Sequence, residues 1–207
     1  ASCLVGSEMC IRDRAVVLPN AGNIGGGGFM VLHDDKTGKD VAIDFREIAP
    51  AKASRDMYLD NQGNVIDGKS LFTHDASGVP GTVAGMEYAL KKWGTMPLSK
   101  VLEPAIKLAD KGFIVSDVLA QTLKEEKSTL GKWSSSKAIF FKNGEPLKSG
   151  DLLVQKDLAK SLRLIAKQGA KAFYQGEIAT KIAKEMQSHG GTMTLEDLKA
   201  YKVVAVS

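Results

Sequence analysis

An arginine and a glutamate stand directly behind an apolar, strand-like run in the segment AIDFREIAP, residues 42–50. A guanidinium placed just past a buried strand is well suited to hold a carboxylate through two parallel hydrogen bonds, because its N–H groups form a planar fork. Arg46 is therefore a candidate carboxylate ligand. The plainer interpretation is a structural ion pair with Asp44 or Glu47, which is the commoner use of such residues.

Four consecutive glycines at 25–28 are a second candidate site, since backbone N–H groups without side chains can converge on an anion such as phosphate. No Lys-Ser/Thr pair follows them, and the next residues, FMVL, are strand-like, so neither nucleotide-binding fingerprint is met. The pattern favours a structural use, in which glycine lets two backbones approach closely or allows a positive φ. An anion-binding module remains the alternative.

The remaining polar residues predict neither a metal site nor a nucleophile. His33, His74 and His189 are scattered in polar surroundings, which predicts surface positions rather than metal ligands or a catalytic pair. No serine lies in a G-x-S-x-G turn, and Ser77 precedes a Gly-Val-Pro-Gly loop that we expect to end in a helix cap at Thr82. The sequence indicates no cofactor.

Hydrophobic periodicity predicts strands first and helices afterwards, which indicates the α+β class. The residues around 125–150 are the most loop-like, and Pro104 is expected to kink the entry of its helix. The predicted elements are strands at 15–18, 29–32 and 41–45, helices at 82–94, 99–112, 157–169 and 176–190, and a capping box in TLED at 194–197 before a short helix.

Composition narrows the class of protein. The chain has 207 residues, 43% of them hydrophobic, which suits one globular domain. Its net charge of +4 comes from lysines interleaved with acids, and with 6% aromatic residues it shows no basic cluster of the kind that binds nucleic acid. No run approaches the roughly 20 apolar residues of a membrane span, and no signal peptide is recognisable.

The two ends of the chain differ from its middle. Residues 1–14, ASCLVGSEMCIRDR, contain both cysteines and fit neither strand nor helix periodicity, so we interpret them as a non-native leader resembling translated adapter sequence. The last residues, YKVVAVS, read as a strand that has just begun. We therefore predict one incomplete domain over residues 15–207.

Four longer blocks carry a family resemblance, which covers about residues 16–203. They are GNIGGGGFMVL, AIDFREIAPAKASRDMYLD, SGVPGTVAGMEYALKKWGTMPLSKVLEPAIKLADKGF and GDLLVQKDLAKSLRLIAKQGAKAFYQGEIATKIAKEMQSHGGTMTLEDLKAYK. In order and spacing they resemble the large-subunit portion of gamma-glutamyltransferase, also called glutathione hydrolase, and most closely its bacterial members. Residues 1–14 do not share the resemblance.

The resemblance implies a fold and an activity. The fold would be an N-terminal-nucleophile hydrolase, a four-layer αββα sandwich made as a self-cleaving precursor and incomplete here. The nucleophile would be the new N-terminal threonine of the small subunit, expected beyond Ser207, so the present chain alone would be inactive. Its substrates would be glutathione and other gamma-glutamyl compounds, its partner the small subunit of the same precursor, and its location the periplasm or the outside of the cell.

For Arg46 the resemblance implies a contact to the α-carboxylate of the gamma-glutamyl group, and Glu47 would orient Arg46. Such positioning can be worth several kcal/mol, up to about 7 to 11 in favourable cases. One alternative is a glutaryl or cephalosporin acylase on the same scaffold. The others are the non-enzymatic anion-binding module at residues 25–28 and an inert truncated product with an uncovered sheet face.

Overall fold

A three-stranded antiparallel sheet joins the two ends of the chain in the computed structural model, which describes residues 15–19 and 23–206. Strand β1, Phe29–Asp34, and strand β2, Lys39–Asp44, form a hairpin in which Phe29 lies opposite Asp44. Strand β7, Val204–Val206, pairs with the other edge of β2. The leader predicted at 1–14 lies outside the described residues, so its origin stays a prediction.

The sheet has two different faces, because successive strand residues point to opposite sides. Leu32, Val41 and Ile43 are buried on the inner face, against helix α2, Thr82–Trp93. The opposite side, which we call the outer sheet face, carries exposed apolar residues: Phe29, Val31, Ala42, Val204 and Val206. None of these residues belongs to a buried hydrophobic cluster in the described part of the chain.

The other large elements of the described chain are helices. The main core lies between α3, Leu98–Lys111, and α7, Lys156–Gln168. Ala105 and Ala109 of α3 and Leu162 and Ile165 of α7 are buried there at helical spacing. Besides α2, the α-helices of residues 23–206 are α1, Lys69–Phe72; α3; α4, Asp117–Glu125; α5, Lys127–Leu130; α6, Ser134–Phe140; α7; α8, Ala170–Tyr174; α9, Glu177–Ser188; and α10, Leu195–Ala200.

The chain also contains several short elements. The mixture of helices and antiparallel strands confirms the predicted α+β class. A 3-10 turn covers His74–Ala76. Two antiparallel pairs join β3, Phe113–Ile114, to β6, Leu152–Leu153, and β4, Phe141–Lys142, to β5, Glu145–Pro146. Among the described helices, none combines the length and the apolar character needed to cross a membrane.

Two of the expected elements are wrong. Residues 15–17 are helical rather than extended. A short apolar run does not distinguish a buried strand from a buried helical turn, and Val16 is fully buried in the helical core. Residues 125–150 are not a loop, since they contain α5, α6 and the β4–β5 pair. Their apolar residues Leu130 and Phe140 pack on the cluster built by Leu119 and Leu123.

Two local details also differ from the prediction. Gly81, not Thr82, is the N-cap of α2, and no side chain makes the capping hydrogen bond. Pro104 lies within α3 rather than in its first turn, and the helix continues through it. The proline leaves the Lys100 carbonyl without its usual helical donor. Both residues are on the exposed side of α3, where water can hydrate that carbonyl.

The predicted capping box at 194–197 is confirmed. The Asp197 backbone N–H donates to Thr194 Oγ1 over 3.2 Å, and the Thr194 N–H donates to Asp197 Oδ2 over 2.8 Å. The second carboxylate oxygen of Asp197 accepts the Ala51 N–H over 2.8 Å. Burial alone would raise the pKa of Asp197, but the N–H groups of Ala51 and Thr194 hold that pKa below its ordinary value. Asp197 therefore ties α10 to the segment that follows β2.

We expect Asp197→Asn to lower the free energy of unfolding by about 1–2 kcal/mol at pH 7, because an amide has only one acceptor oxygen for these donors. The folded-state pKa of Asp197 is lowered, so its stabilisation is complete above the unfolded pKa of about 4 and is lost as pH falls through the folded value. Urea unfolding between pH 7 and pH 3.5 measures this, and the gap between the two proteins should narrow on the acid side.

Asp157→Asn is the control, because the Asp157 side chain is 90% exposed and forms a surface ion pair with Lys160 nearby. Its effect should stay within about 0.5 kcal/mol. An Asp197→Asn deficit that is the same at both ends of the pH range would contradict the assignment of the carboxylate as the stabilising species.

Candidate active site

Arg46 begins the segment that leaves the sheet, two residues after β2 ends. Its backbone N–H donates to Asp44 Oδ1 over 2.9 Å, and its carbonyl accepts the Tyr201 hydroxyl over 2.9 Å. The side chain is exposed, and within the described part of the chain no carboxylate lies at ion-pair distance from its guanidinium. Asp44 thus binds the backbone of Arg46, so the plainer interpretation, an ion pair with Asp44 or Glu47, finds no contact here to support it.

Backbone contacts from several glycines hold the segment that carries Arg46. The Gly28 N–H donates to the Phe45 carbonyl over 3.3 Å, and the Phe45 N–H returns a bond to Gly28 over 3.0 Å. A Cβ built on Gly27 would lie 2.6 Å from the Phe45 carbonyl oxygen, and one on Gly81 would overlap that oxygen. Both glycines are therefore needed for close backbone approach.

The glycine run also fixes the start of α2. The Gly26 carbonyl accepts the N–H groups of Gly81 over 2.8 Å and of Thr82 over 3.0 Å. The run at 25–28 therefore serves to join the sheet, the Arg46 segment and α2 through main-chain bonds. This is the structural use that the sequence favours.

Glu47 points toward the glycines rather than toward Arg46. One of its carboxylate oxygens lies 3.3 Å from a Cβ built on Gly26, and the other lies 2.8 Å from one built on Gly27. A phosphate placed over these glycines would meet a carboxylate, which argues against the anion-binding alternative. The described contacts do not bring the Glu47 carboxylate and the Arg46 guanidinium together as an ion pair, so the orienting role of Glu47 stays a prediction.

Two tyrosines that the sequence did not point to, Tyr174 and Tyr201, support the segment that carries Arg46. The Tyr201 ring stacks on the Tyr174 ring, with centroids 5.5 Å apart and planes 14° apart. The Tyr174 hydroxyl donates to the Pro80 carbonyl over 2.8 Å and accepts the Ala84 N–H over 3.3 Å. Burial raises the pKa of Tyr201 to about 12, and the charges of Asp44 and Glu47 act in the same direction. Tyr201 therefore remains a protonated donor at neutral pH.

The structure brings together two histidines that the sequence treats as separate. The rings of His74 and His189 stack with centroids 4.7 Å apart and planes 10° apart. Glu185 Oε1 lies 3.4 Å from His74 Nε2 and 3.2 Å from His189 Nδ1. Because the two rings are nearly parallel, their in-plane lone pairs run side by side and do not converge on one metal ion. His33 lies elsewhere, 2.7 Å from Asp40.

The chain is similar to known proteins in both sequence and structure. The family described as gamma-glutamyltranspeptidase matches residues 7–207. The glutathione hydrolase proenzyme of Escherichia coli K12 is 61% identical over 191 residues, which are 92% of this chain and 33% of the relative. The crystal structure of Helicobacter pylori gamma-glutamyltranspeptidase superposes with a TM-score of 0.95 at 51% identity, covering 98% of this chain and 58% of that one.

A cephalosporin acylase from Bacillus halodurans superposes with a TM-score of 0.86 over 99% of this chain and 38% of that one, but at 23% identity, which shows the fold alone. The acylase alternative is therefore not favoured. The likeness to these structures confirms the predicted class, part of an N-terminal-nucleophile hydrolase αββα sandwich. This chain spans about a third of the length of the curated relative. From the family match and the identity to the E. coli protein, the chain belongs to the gamma-glutamyltranspeptidase family.

Proposed function

We propose that this chain is part of the large subunit of a gamma-glutamyltransferase that cleaves the gamma-glutamyl amide of glutathione and transfers the acyl group to water, an amino acid or a peptide. The observation that carries the proposal is the Arg46 guanidinium, which is exposed and has no ion-pair partner among the described residues, although its backbone is fixed on both sides. A rigidly mounted, unpaired guanidinium suits a substrate that brings its own carboxylate.

In this proposal Arg46 binds and the bond changes occur elsewhere. The α-carboxylate of the gamma-glutamyl group would sit in the guanidinium fork, which fixes the position of the gamma-carbonyl carbon. The threonine hydroxyl of the small subunit would attack that carbon, its proton passing to the threonine's own α-amine and then to the leaving amine of cysteinylglycine. Water or an acceptor amine would release the acyl group from the resulting ester. No metal or other cofactor enters these steps.

The outer sheet face supports the proposed partner. Phe29, Val31, Val204 and Val206 are 65%, 77%, 57% and 64% exposed on one side of a single sheet. A contiguous apolar face of this kind is normally covered. We infer that the second sheet of the sandwich, contributed by the small subunit, packs on it about 10 Å away. A periplasmic or secreted location is proposed from the family resemblance alone.

The test is to express the complete precursor, follow self-cleavage by gel and N-terminal sequencing, and measure release of nitroaniline from gamma-glutamyl and glutaryl nitroanilides. We expect cleavage before a threonine and faster turnover of the gamma-glutamyl substrate. Cleavage with preference for the glutaryl substrate would instead support the acylase, because a glutaryl group keeps the carboxylate that Arg46 would bind but lacks the α-amino group. A precursor that neither cleaves nor turns over would overturn the proposed activity.

A further inference from the structure

We propose that the Tyr201 hydroxyl is a positioning group for Arg46, holding the arginine backbone so that the guanidinium meets the substrate α-carboxylate. This inference rests on the proposed function. Its basis is the 2.9 Å bond from the Tyr201 hydroxyl to the Arg46 carbonyl, which complements the 2.9 Å bond from the Arg46 N–H to Asp44. Both peptide groups that flank the Arg46 Cα are therefore tethered, although the residue lies outside the strand ladder.

Tyr201 is itself held in place by packing that leaves its hydroxyl little freedom. Its ring stacks on Tyr174, whose hydroxyl is bonded to Pro80 and Ala84 at the start of α2. On the other side, a Cβ at Gly81 would overlap the Tyr201 hydroxyl, so that hydroxyl lies directly against the α2 backbone. A donor fixed by a stacked ring and by close packing can define the position of its acceptor.

The place of Tyr201 in the chain explains how it reaches Arg46. It follows α10, which the capping box of Thr194 and Asp197 starts, and it precedes β7, which pairs with β2. Asp197 of the same helix also binds the Ala51 N–H, a few residues past Arg46. The segment around α10 therefore contacts the Arg46 segment on both sides of the guanidinium-bearing residue.

A hydrogen bond that acts by positioning a ligand-binding side chain should affect substrate affinity more than the chemical step. We expect Tyr201→Phe to raise KM for a gamma-glutamyl nitroanilide by about 3- to 10-fold with little change in kcat, in keeping with the usual net worth of one hydrogen bond. The phenylalanine ring retains the stack on Tyr174. The high pKa of Tyr201 further predicts that this effect is constant across neutral pH.

The test is a double-mutant cycle in the processed full-length enzyme, combining Tyr201→Phe with Arg46→Ala. If Tyr201 acts through Arg46, its replacement changes kcat/KM by less than about twofold once Arg46 is alanine. Competitive inhibition gives a second readout that needs no residual turnover. Tyr201→Phe should weaken inhibition by L-glutamate but not by 4-aminobutanoate, which lacks the α-carboxylate.

Tyr58→Phe is the matched control, because the Tyr58 hydroxyl donates to the Asp75 carbonyl over 3.1 Å, the same type of bond away from Arg46. Its KM should stay within about twofold of wild type. Fully additive effects of Tyr201→Phe and Arg46→Ala, or an equal KM increase in Tyr58→Phe, would overturn the positioning role alone. A wild-type enzyme that does not turn over gamma-glutamyl substrates would overturn the proposed function as well.

Discussion

Arg46→Ala should lower kcat/KM for gamma-glutamyl substrates by about 100- to 1000-fold, because it removes a two-bond, charge-assisted contact to the α-carboxylate. Arg46→Lys keeps the charge but not the planar fork, and we expect it to lose about tenfold, mainly through KM. Both losses are measured by steady-state kinetics on the processed enzyme. The extent of self-cleavage in each variant separates a binding defect from a folding defect.

Arg55→Ala provides the matched control. Arg55 is an exposed arginine whose Nε lies 2.9 Å from Asp56 Oδ1, and its side chain is 91% exposed. Because it pairs with its own neighbour on the surface, its removal should leave kcat/KM within about twofold of wild type. If Arg46→Ala cleaves itself normally and retains more than half of the wild-type kcat/KM, Arg46 does not bind the carboxylate.

The position of Arg46 could be predicted from sequence, whereas the lack of an ion-pair partner for its guanidinium among the described residues could not. Alternation in VAIDF predicts a strand with one buried face, and the arginine that follows must leave the sheet. Sequence does not show whether the Arg46 guanidinium pairs with Asp44. In the structure a turn places the Asp44 carboxylate on the Arg46 backbone N–H instead. The capping box at 194–197 was equally predictable, because Thr194 and Asp197 satisfy each other within one helical turn.

The parts that sequence reasoning missed depend on contacts between distant residues. Tyr201 and Arg46 are separated by 155 positions, and no local pattern relates them. The His74 and His189 stack arises in the same way, from a 3-10 turn and the end of α9. The position of Arg46 follows from a local sequence pattern, so that residue could be selected. Tyr174 and Tyr201 support it through contacts between distant residues, so they could not.

Gly81→Ala is expected to be strongly destabilising, lowering the free energy of unfolding by about 3 kcal/mol. The backbone of Gly81, at φ −116° and ψ −17°, is open to alanine, so local conformation gives no reason for a glycine here. The cost is steric, because the added Cβ would overlap the Phe45 carbonyl oxygen and the Tyr201 hydroxyl. Urea unfolding and the Tm of the chain measure the loss.

Gly150→Ala tests this reasoning, because Gly150 has an unfavourable backbone conformation for alanine but open space around it. Gly150 has a φ of 87°, which disfavours alanine, but a Cβ there meets nothing within 4 Å. We expect a loss of about 1 kcal/mol, from backbone strain alone. Backbone conformation by itself predicts that Gly150→Ala is the worse change, so finding it more destabilising than Gly81→Ala would contradict the packing argument. Since Gly81 contacts both Phe45 and Tyr201, its variant should also raise KM in any enzyme that still folds, because the Arg46 segment would be displaced with them.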